Sequence, residues 1–239
     1  MGTSSAYILA NLANSQGSGP SPLSAYPITN AWDGKAYRPV RWSSSSVTIR
    51  IDAVGACDGV SLCNHNLKTG AAVTITPGAG SPISITPKTG LSIWCKFPSA
   101  ASSATIAISN SEGVSIGEIV MGSLTVLAKQ FSYGHGDNHE YTNEVRMTDG
   151  GAVLAFEKYN GRVISLPYNA ISDAVRDQIR ELYAATKGGL TPFLFIPDTS
   201  ANDCVYGRIG GIFKSSSASY RLWNSAVEIR EEVTAALIA

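Results

Sequence analysis

The residues most suggestive of chemistry lie between His135 and Glu140, where histidine and acidic side chains occur close together. Two histidines four residues apart, such as His135 and His139, can bind zinc when a helix places both on one face. Gly134 and Gly136 disfavour a helix here, and the spacing places no third ligand. A polar loop between two strands is therefore the preferred interpretation, and a metal hydrolase is the less favoured alternative.

The cysteines form a second group that metal chemistry could use. Cys57, Cys63 and Cys95, together with His65, lie in the first half of the chain, but no two of them have CxxC spacing. Cys63 falls in an alternating strand pattern, where a free cysteine commonly acts as a small buried apolar residue. With Cys204 as the only other cysteine, we predict free thiols in a protein made in the cytosol.

The sequence places no set of catalytic residues together and has no nucleotide-binding motif. Serine, histidine and aspartate occur, but no spacing pairs them, and a P-loop and a dinucleotide fingerprint are absent, so we predict a protein that is not an enzyme and needs no cofactor. The formal net charge is zero, charged residues make up 15%, and no long basic run occurs, which disfavours nucleic acid as a partner. No apolar run reaches the length of a membrane span, and residues 1–14 lack the features of a signal peptide.

The clearest prediction of secondary structure comes from residues Ser172–Asp198. A helix is predicted over residues 172–187, with Ser172 as its N-cap and Gly188 and Gly189 at its end. A short apolar strand between Pro192 and Pro197 follows. The predicted apolar face of the helix consists of residues spaced three and four apart: Ile171, Val175, Ile179, Leu182 and Tyr183.

The rest of the chain predicts a mainly β protein. Short alternating runs such as Val47–Asp52 recur about every ten residues between turns, which is typical of a β-sandwich. The composition changes between Asn110 and Gly117, where we place a domain boundary. We therefore predict a β-sandwich over residues 1–112. An α+β domain over residues 113–239 would follow, with the helix packed on an antiparallel sheet.

The first half resembles galactose-binding-like (discoidin-type) jelly-roll domains. The resemblance is carried by the Asn30–Gly34 turn, by Arg41–Trp42, by the strand ending at Ile51–Asp52 and by Val60–Asn66. The chain departs from the pattern at Ala53–Gly55, where one residue is inserted before the glycine. The resemblance covers roughly residues 5 to 110 and implies a jelly roll.

The same resemblance suggests two ligand sites. Asp33 matches the position where such domains often bind a structural calcium, and an ordinary Asp-Gly turn is the preferred alternative because no second acid is evident. Trp32, Arg41 and Trp42 are candidates for an aromatic, hydrogen-bonding platform for a sugar. At least one of the two tryptophans is expected in the core instead.

The second half resembles tail-tip proteins of long-tailed bacteriophages, namely distal tail and minor tail proteins. The resemblance is carried by the Val163–Pro167 strand, the helix, the Lys187–Asp198 block, Cys204–Arg208 and the closing strand Val227–Glu231. Related phage proteins have a galactose-binding-like domain in front that ends in a turn similar to Cys63–Leu67.

This second resemblance implies a structural component of a phage tail tip or baseplate. Such a protein forms a homo-oligomeric ring or collar at the distal end of the tail tube. It contacts the tube, the hub and the end of the tape measure in the virion, after assembly in the host cytoplasm. The charged helix face supplies candidate interface residues: Arg176, Asp177 and Arg180. The alternative is a carbohydrate-binding module that contacts host surface glycans through residues Trp32 to Trp42.

Overall fold

The computed structural model describes residues 5–8, 11–87, 92–132, 135–147, 153–199 and 201–232. These residues form a mainly β structure with one α-helix, as predicted. No helix among them is long and apolar enough to cross a membrane. The strands are β1 (Ala6–Ile8), β2 (Ala13–Ser18), β3 (Val40–Trp42), β4 (Ser46–His65), β5 (Ala72–Pro77), β6 (Ile83–Ile85), β7 (Ser92–Ser109), β8 (Val114–Gly122), β9 (Thr125–Val126), β10 (Gly136–Met147), β11 (Val153–Ser172), β12 (Phe193–Ile196), β13 (Asp203–Ser219) and β14 (Leu222–Glu231).

Strands β2 to β8 form a first group built around the long antiparallel pair β4–β7. The pairing slips between Asp52 and Cys57, where extra residues bend the two strands. Strand β5 pairs with the C-terminal part of β7, and β8 pairs with the C-terminal part of β4. Apolar residues from both halves meet in one core, which includes Val47, Ile49, Ile51, Val60, Leu62, Ile75, Ile106, Ile116 and Ile119.

The remaining strands form a second group in the order β10–β11–β14–β13–β12–β1–β9. Helix α1 (Asp173–Ala185) lies against this sheet. It buries Val175, Ile179 and Leu182, which confirms the apolar face predicted from the spacing. The core beneath it includes Ile164, Leu166, Tyr168, Phe193, Phe195, Val205, Val227 and Ile229.

The helix ends two residues earlier than predicted. Lys187 and Gly188 both have positive φ, and the N–H of Gly188 bonds back to the carbonyl of Tyr183 at 2.9 Å. This left-handed cap satisfies the last carbonyls and stops the helix at Ala185. At the other end Ser172 occupies the N-cap position with no side-chain cap hydrogen bond.

The two groups are joined where β13 pairs with β7, through Asp203 opposite Ile93 and Cys204 opposite Ser92. A small buried cluster with Trp94 and Tyr206 lies at this joint. The predicted boundary between residues 112 and 113 remains a prediction. Two strands pair across this boundary. Strand β1 precedes it and pairs with β12 and β9 of the second group. Strand β8 starts after it, at Val114, and pairs with β3 and β4 of the first group.

Candidate functional site

The structure separates the two histidines of the His135–Glu140 segment along an extended chain. Gly136 begins β10, so the predicted polar loop is largely strand. Four extended residues span about 13 Å, too far for one ion. The His135 ring lies 4.7 Å from the ring of Phe131. The described residues contain no cluster of three or more acidic, histidine or cysteine side chains placed to hold a metal.

The four cysteines are free and buried. The hydroxyl oxygen of Ser61 lies 3.1 Å from the sulfur of Cys63 and 3.1 Å from that of Cys204, so these two thiols meet at the joint. Burial raises the pKa of Cys57 and of Cys95 to about 11, with Asp58 adding to the shift at Cys57. Without a bound metal, Cys57 and Cys95 are therefore protonated at neutral pH.

The predicted sugar platform is only partly exposed. Trp42 is 3% exposed, belongs to the first core, and donates its indole N–H to the carbonyl of Pro20 at 3.1 Å. No face of this ring is open to a sugar, so Trp42 is the tryptophan that serves the core. Trp32 is half-buried against the same core. The guanidinium of Arg41 lies 4.5 Å from the centre of the Tyr26 ring, a cation–π pair that the sequence did not suggest.

A second acidic residue, Glu118, lies beside the turn at Asp33, and nothing in the sequence indicated it. Glu118 on β8 is fully buried, and its Oε1 accepts hydrogen bonds from the Gly34 N–H at 3.3 Å and from the Asn11 side chain at 3.1 Å. Its Oε2 is also buried and has no hydrogen-bond partner among the described residues. Burial raises the pKa of Glu118 to about 8, and Asp33 adds to the shift. The carboxyl group is therefore neutral at pH 7, which lowers the cost of burying it.

These residues do not fit a calcium ion. Calcium takes six to eight oxygen ligands, mostly ionised carboxylates and carbonyls. Here backbone N–H groups, not carbonyls, point at the acids: Gly34 donates to Glu118, and Lys35 donates to Asp33 at 2.9 Å. The second oxygen of Asp33 lies 3.7 Å from the Arg38 guanidinium. The turn is thus closed by hydrogen bonds, and the Asp-Gly turn without an ion stays the preferred prediction.

The charged face of α1 is divided between internal contacts and solvent. Arg176 lies 4.3 Å from the centre of the Trp223 ring and contacts Asp173 at 3.4 Å and Asp177 at 2.9 Å. Trp223 donates its indole N–H to Asp173 at 2.7 Å, and this bond is the main cause of a lowered Asp173 pKa. Arg176 therefore fastens the helix to β14, so its charge reversal is expected to disturb the monomer. The side chain of Arg180 is 61% exposed and stays a candidate for an interface.

The most distinctive surface is a two-stranded arm, which we define as residues 140–147 of β10 and 153–161 of β11. Eight residue pairs join its strands, from Glu140 opposite Gly161 to Met147 opposite Val153. Pairing of β11 with β14 begins only at Val163, and among the described elements no third strand flanks the arm. At about 3.4 Å per residue the arm extends about 25 Å beyond the sheet. Met147 and Val153 near its end are 74% and 62% exposed.

An ion cluster around the buried Arg162 side chain lies at the base of this arm, with Asp137 and Asp203 45% and 37% exposed. The side chain of Arg162 is 4% exposed and contacts both oxygens of Asp137, at 3.2 and 2.7 Å, and both of Asp203, at 2.8 and 3.0 Å. Its backbone N–H donates to Glu231, whose pKa burial raises to about 7. The two flanking aspartates keep the pKa of Arg162 above its usual value despite its burial. Four strands, β10, β11, β13 and β14, are thereby tied together at one point.

An apolar patch lies where α1 ends beside β13; we call it the bulge patch and define it by Tyr183, Ile212 and Phe213. The pairing of β13 with β14 is interrupted between Gly210 and Lys214. Gly211 has a φ of +72° with open space around it, and the next residue, Ile212, is 76% exposed. Leu190 is 69% exposed, and the rings of Tyr183 and Phe213 lie 6.0 Å apart. Beside it a cleft of about 390 Å³ is lined by Gly189, Arg208, Ile209 and Arg230, among others.

Comparison with known proteins gives partial likenesses only. No family model and no curated protein matches the chain. Among solved structures, CpGH89CBM32-4 produced by Clostridium perfringens is 18% identical with a TM-score of 0.38, over 48% of this chain and 99% of that one. A Streptococcus pneumoniae fucose-binding module, SpX-3, is 13% identical with a TM-score of 0.38, over 47% and 97%.

A third structure, SpGH29, is 12% identical with a TM-score of 0.39, and the match covers 48% of this chain but only 28% of that chain. The matches thus extend over about half of this chain. At these identities and TM-scores, the ligands and activities of those proteins say nothing about this one.

Proposed function

We propose that this chain is a structural subunit of a phage tail tip or baseplate that assembles with copies of itself. In this proposal the first group of strands is the galactose-binding-like jelly roll and the second group is the assembly domain. The sequence resemblance of Lys187–Asp198 and Val227–Glu231 to tail-tip proteins motivates the class of particle. The arm formed by residues 140–147 and 153–161 is the single observation that carries the assembly role.

The arm supports assembly because an isolated hairpin is at best marginally stable in water. Within the described part of the chain neither of its strands has a further neighbour along the eight residue pairs, so one edge of β10 presents N–H and C=O groups that pair with no described strand. Proteins that remain monomeric usually shorten or cover such an edge. A long open edge with exposed apolar residues near its end is therefore expected to be covered by another chain.

The test is the oligomeric state of the purified chain. We expect a discrete oligomer by size-exclusion chromatography with light scattering, and ring-shaped particles by negative-stain electron microscopy. A second measurement is mass spectrometry of purified phage particles from a host carrying this gene, in which the chain should be present. A chain that stays monomeric at high concentration and is missing from particles would rule the proposal out.

A second candidate function is glycan binding, favoured by the Tyr26–Arg41 pair. A guanidinium held over an aromatic ring offers hydrogen-bond donors beside an apolar surface, the combination that sugars need. Saturable binding on a glycan array, lost in both Arg41→Ala and Tyr26→Ala but kept in Arg50→Ala, is the expected result of this alternative. If the chain binds no glycan on the array, the glycan-binding alternative is contradicted, and the assembly proposal is unaffected.

A further inference from the structure

Two of the four buried cysteines lie side by side at the joint between the two groups of strands. Cys63 belongs to β4 of the first group, and Cys204 belongs to β13 of the second. The hydroxyl oxygen of Ser61 lies 3.1 Å from each of the two sulfurs. The thiols also act on each other directly: burial is the main cause that raises the pKa of Cys204, and a hydrogen bond with Cys63 raises it further.

We propose that Cys63 and Cys204 are a redox-reactive pair that closes to a disulfide under oxidising conditions and locks the first group to the second. This inference is independent of the proposed function. The two cysteines belong to distant parts of the sequence, and cross-links that close long loops restrict the unfolded chain most. Bonding draws the sulfurs from contact to about 2.05 Å, so β4 and β13 have to move slightly together at this point.

The joint is a part of the fold that can open to admit a reagent and can accommodate such a movement. Strands β13 and β7 are paired through two residue pairs only, and one of these pairs joins Cys204 to Ser92. The hydroxyl of Ser92 and the indole N–H of Trp94 are buried and have no hydrogen-bond partner among the described residues. A buried polar group without a partner lowers stability. A short ladder that carries two such groups is expected to open locally before the cores on either side of it.

The chemistry of the pair requires this opening. Burial keeps the Cys204 thiol protonated in the closed joint, whereas the thiolate is the reactive form. In the opened joint one thiol adds across the N=N bond of diamide, an azo oxidant. The thiolate of the other cysteine then attacks the sulfur of this adduct, so that the S–S bond forms as the S–N bond breaks. The two protons and two electrons that the thiols lose end on the hydrazine product.

Diamide treatment of the native full-length chain, followed by peptide mass spectrometry, tests the pair. Trypsin cleaves after lysine and arginine, so Cys204 lies in the peptide 188–208 and Cys63 in the peptide 51–68. The second peptide also contains Cys57, and fragmentation shows which of its cysteines is bonded. We expect the two peptides to be linked through Cys63. The link should persist in Cys57→Ala, which removes another buried cysteine of the same strand, and disappear in Cys63→Ala.

Hydrogen exchange measures the locking. On oxidation the backbone amides of residues 92–93 and 203–204 should exchange about tenfold more slowly, and dithiothreitol should restore the original rate. A chain that forms this disulfide without slower exchange would contradict the lock. Cross-linking only in urea, or a bond of Cys204 mainly to Cys57 or Cys95, would rule out the redox-reactive pair. None of these results depends on the oligomeric state, which tests the proposed function.

Discussion

The two groups of strands use their apolar residues in different ways. In the first group, β4 and β7 bend around one core, and residues such as Ile49 and Ile106 are fully buried within it. In the second group, α1 covers one face of the sheet, and the two strands of the arm extend beyond it. The first arrangement gathers its apolar residues in one core, whereas the second leaves Met147, Val153 and Ile212 largely exposed. The predictions below test this contrast.

The largest effect is expected at Arg162, which fixes the base of the arm. Its replacement in Arg162→Leu leaves Asp137 and Asp203 facing each other without their counter-ion. We expect a loss of about 3 kcal/mol in the free energy of unfolding, measured by urea denaturation. Amide hydrogen exchange should also rise along β10 and β11 more than in the first group.

The matched control for this change is Arg50→Ala in the first group. Arg50 pairs with Asp52 at 3.0 Å, but its side chain is 53% exposed. An exposed pair of this kind contributes less than about 1 kcal/mol. Equal losses for the two variants would show that the Arg162 cluster does not hold the arm.

A smaller and pH-dependent effect is expected at Glu118. Burial raises its pKa to about 8 in the folded chain from an ordinary value of 4.5, so the unfolded chain loses its proton first as pH rises. The folded state is thus progressively destabilised between about pH 4.5 and pH 8, and the dependence levels off above the folded pKa. In Glu118→Gln, which keeps the oxygen acceptor, this dependence should disappear. The variant should be more stable than the wild type at pH 8 by on the order of 2 kcal/mol.

Thermal unfolding of both proteins across this pH range measures the effect, with Glu112→Gln on the surface as the control. Glu231 titrates with the same sign, so the difference between variant and wild type is the quantity to compare. The same experiment tests the absence of a calcium site. Adding calcium should leave the melting temperature unchanged, and a rise that Glu118→Gln abolishes would contradict the hydrogen-bonded turn.

Local sequence patterns predicted the elements whose cause is local. The spacing of apolar residues correctly predicted the buried face of α1. Pro192 and Pro197 correctly predicted the two ends of β12. The arm was not predicted, because alternation along residues 141–147 and 153–158 indicates strands but does not show that β14 ends before it reaches them. Glu118 was missed because a single acid inside the apolar run Ile116–Val120 gives no indication of its partner. The different burial of Trp32 and Trp42 depends on tertiary packing, which residue type alone does not report.

A modest effect is expected where the helix is fastened to β14. Arg176→Ala removes the stacking on Trp223 and the contacts with Asp173 and Asp177. The expected loss in unfolding free energy is about 1 kcal/mol. Arg180→Ala, which removes an exposed pair with Asp177, should change stability by less than about 0.5 kcal/mol. If Arg180→Ala were the more destabilising, the division of the helix face into internal and exposed charges would be wrong.

The smallest effect on stability is expected at the end of the arm, and this makes it the most informative position. Met147 and Val153 are largely solvated, so the double change Met147→Asp with Val153→Asp should alter the unfolding free energy of the monomer by less than about 0.5 kcal/mol. The same change places two charges at the arm end, and desolvating them in any contact with another chain is costly. Assembly should therefore be lost while the melting temperature measured under monomeric conditions stays the same. A variant that assembles like the wild type would mean that the arm end stays in solvent and that another surface of the second group makes the contact.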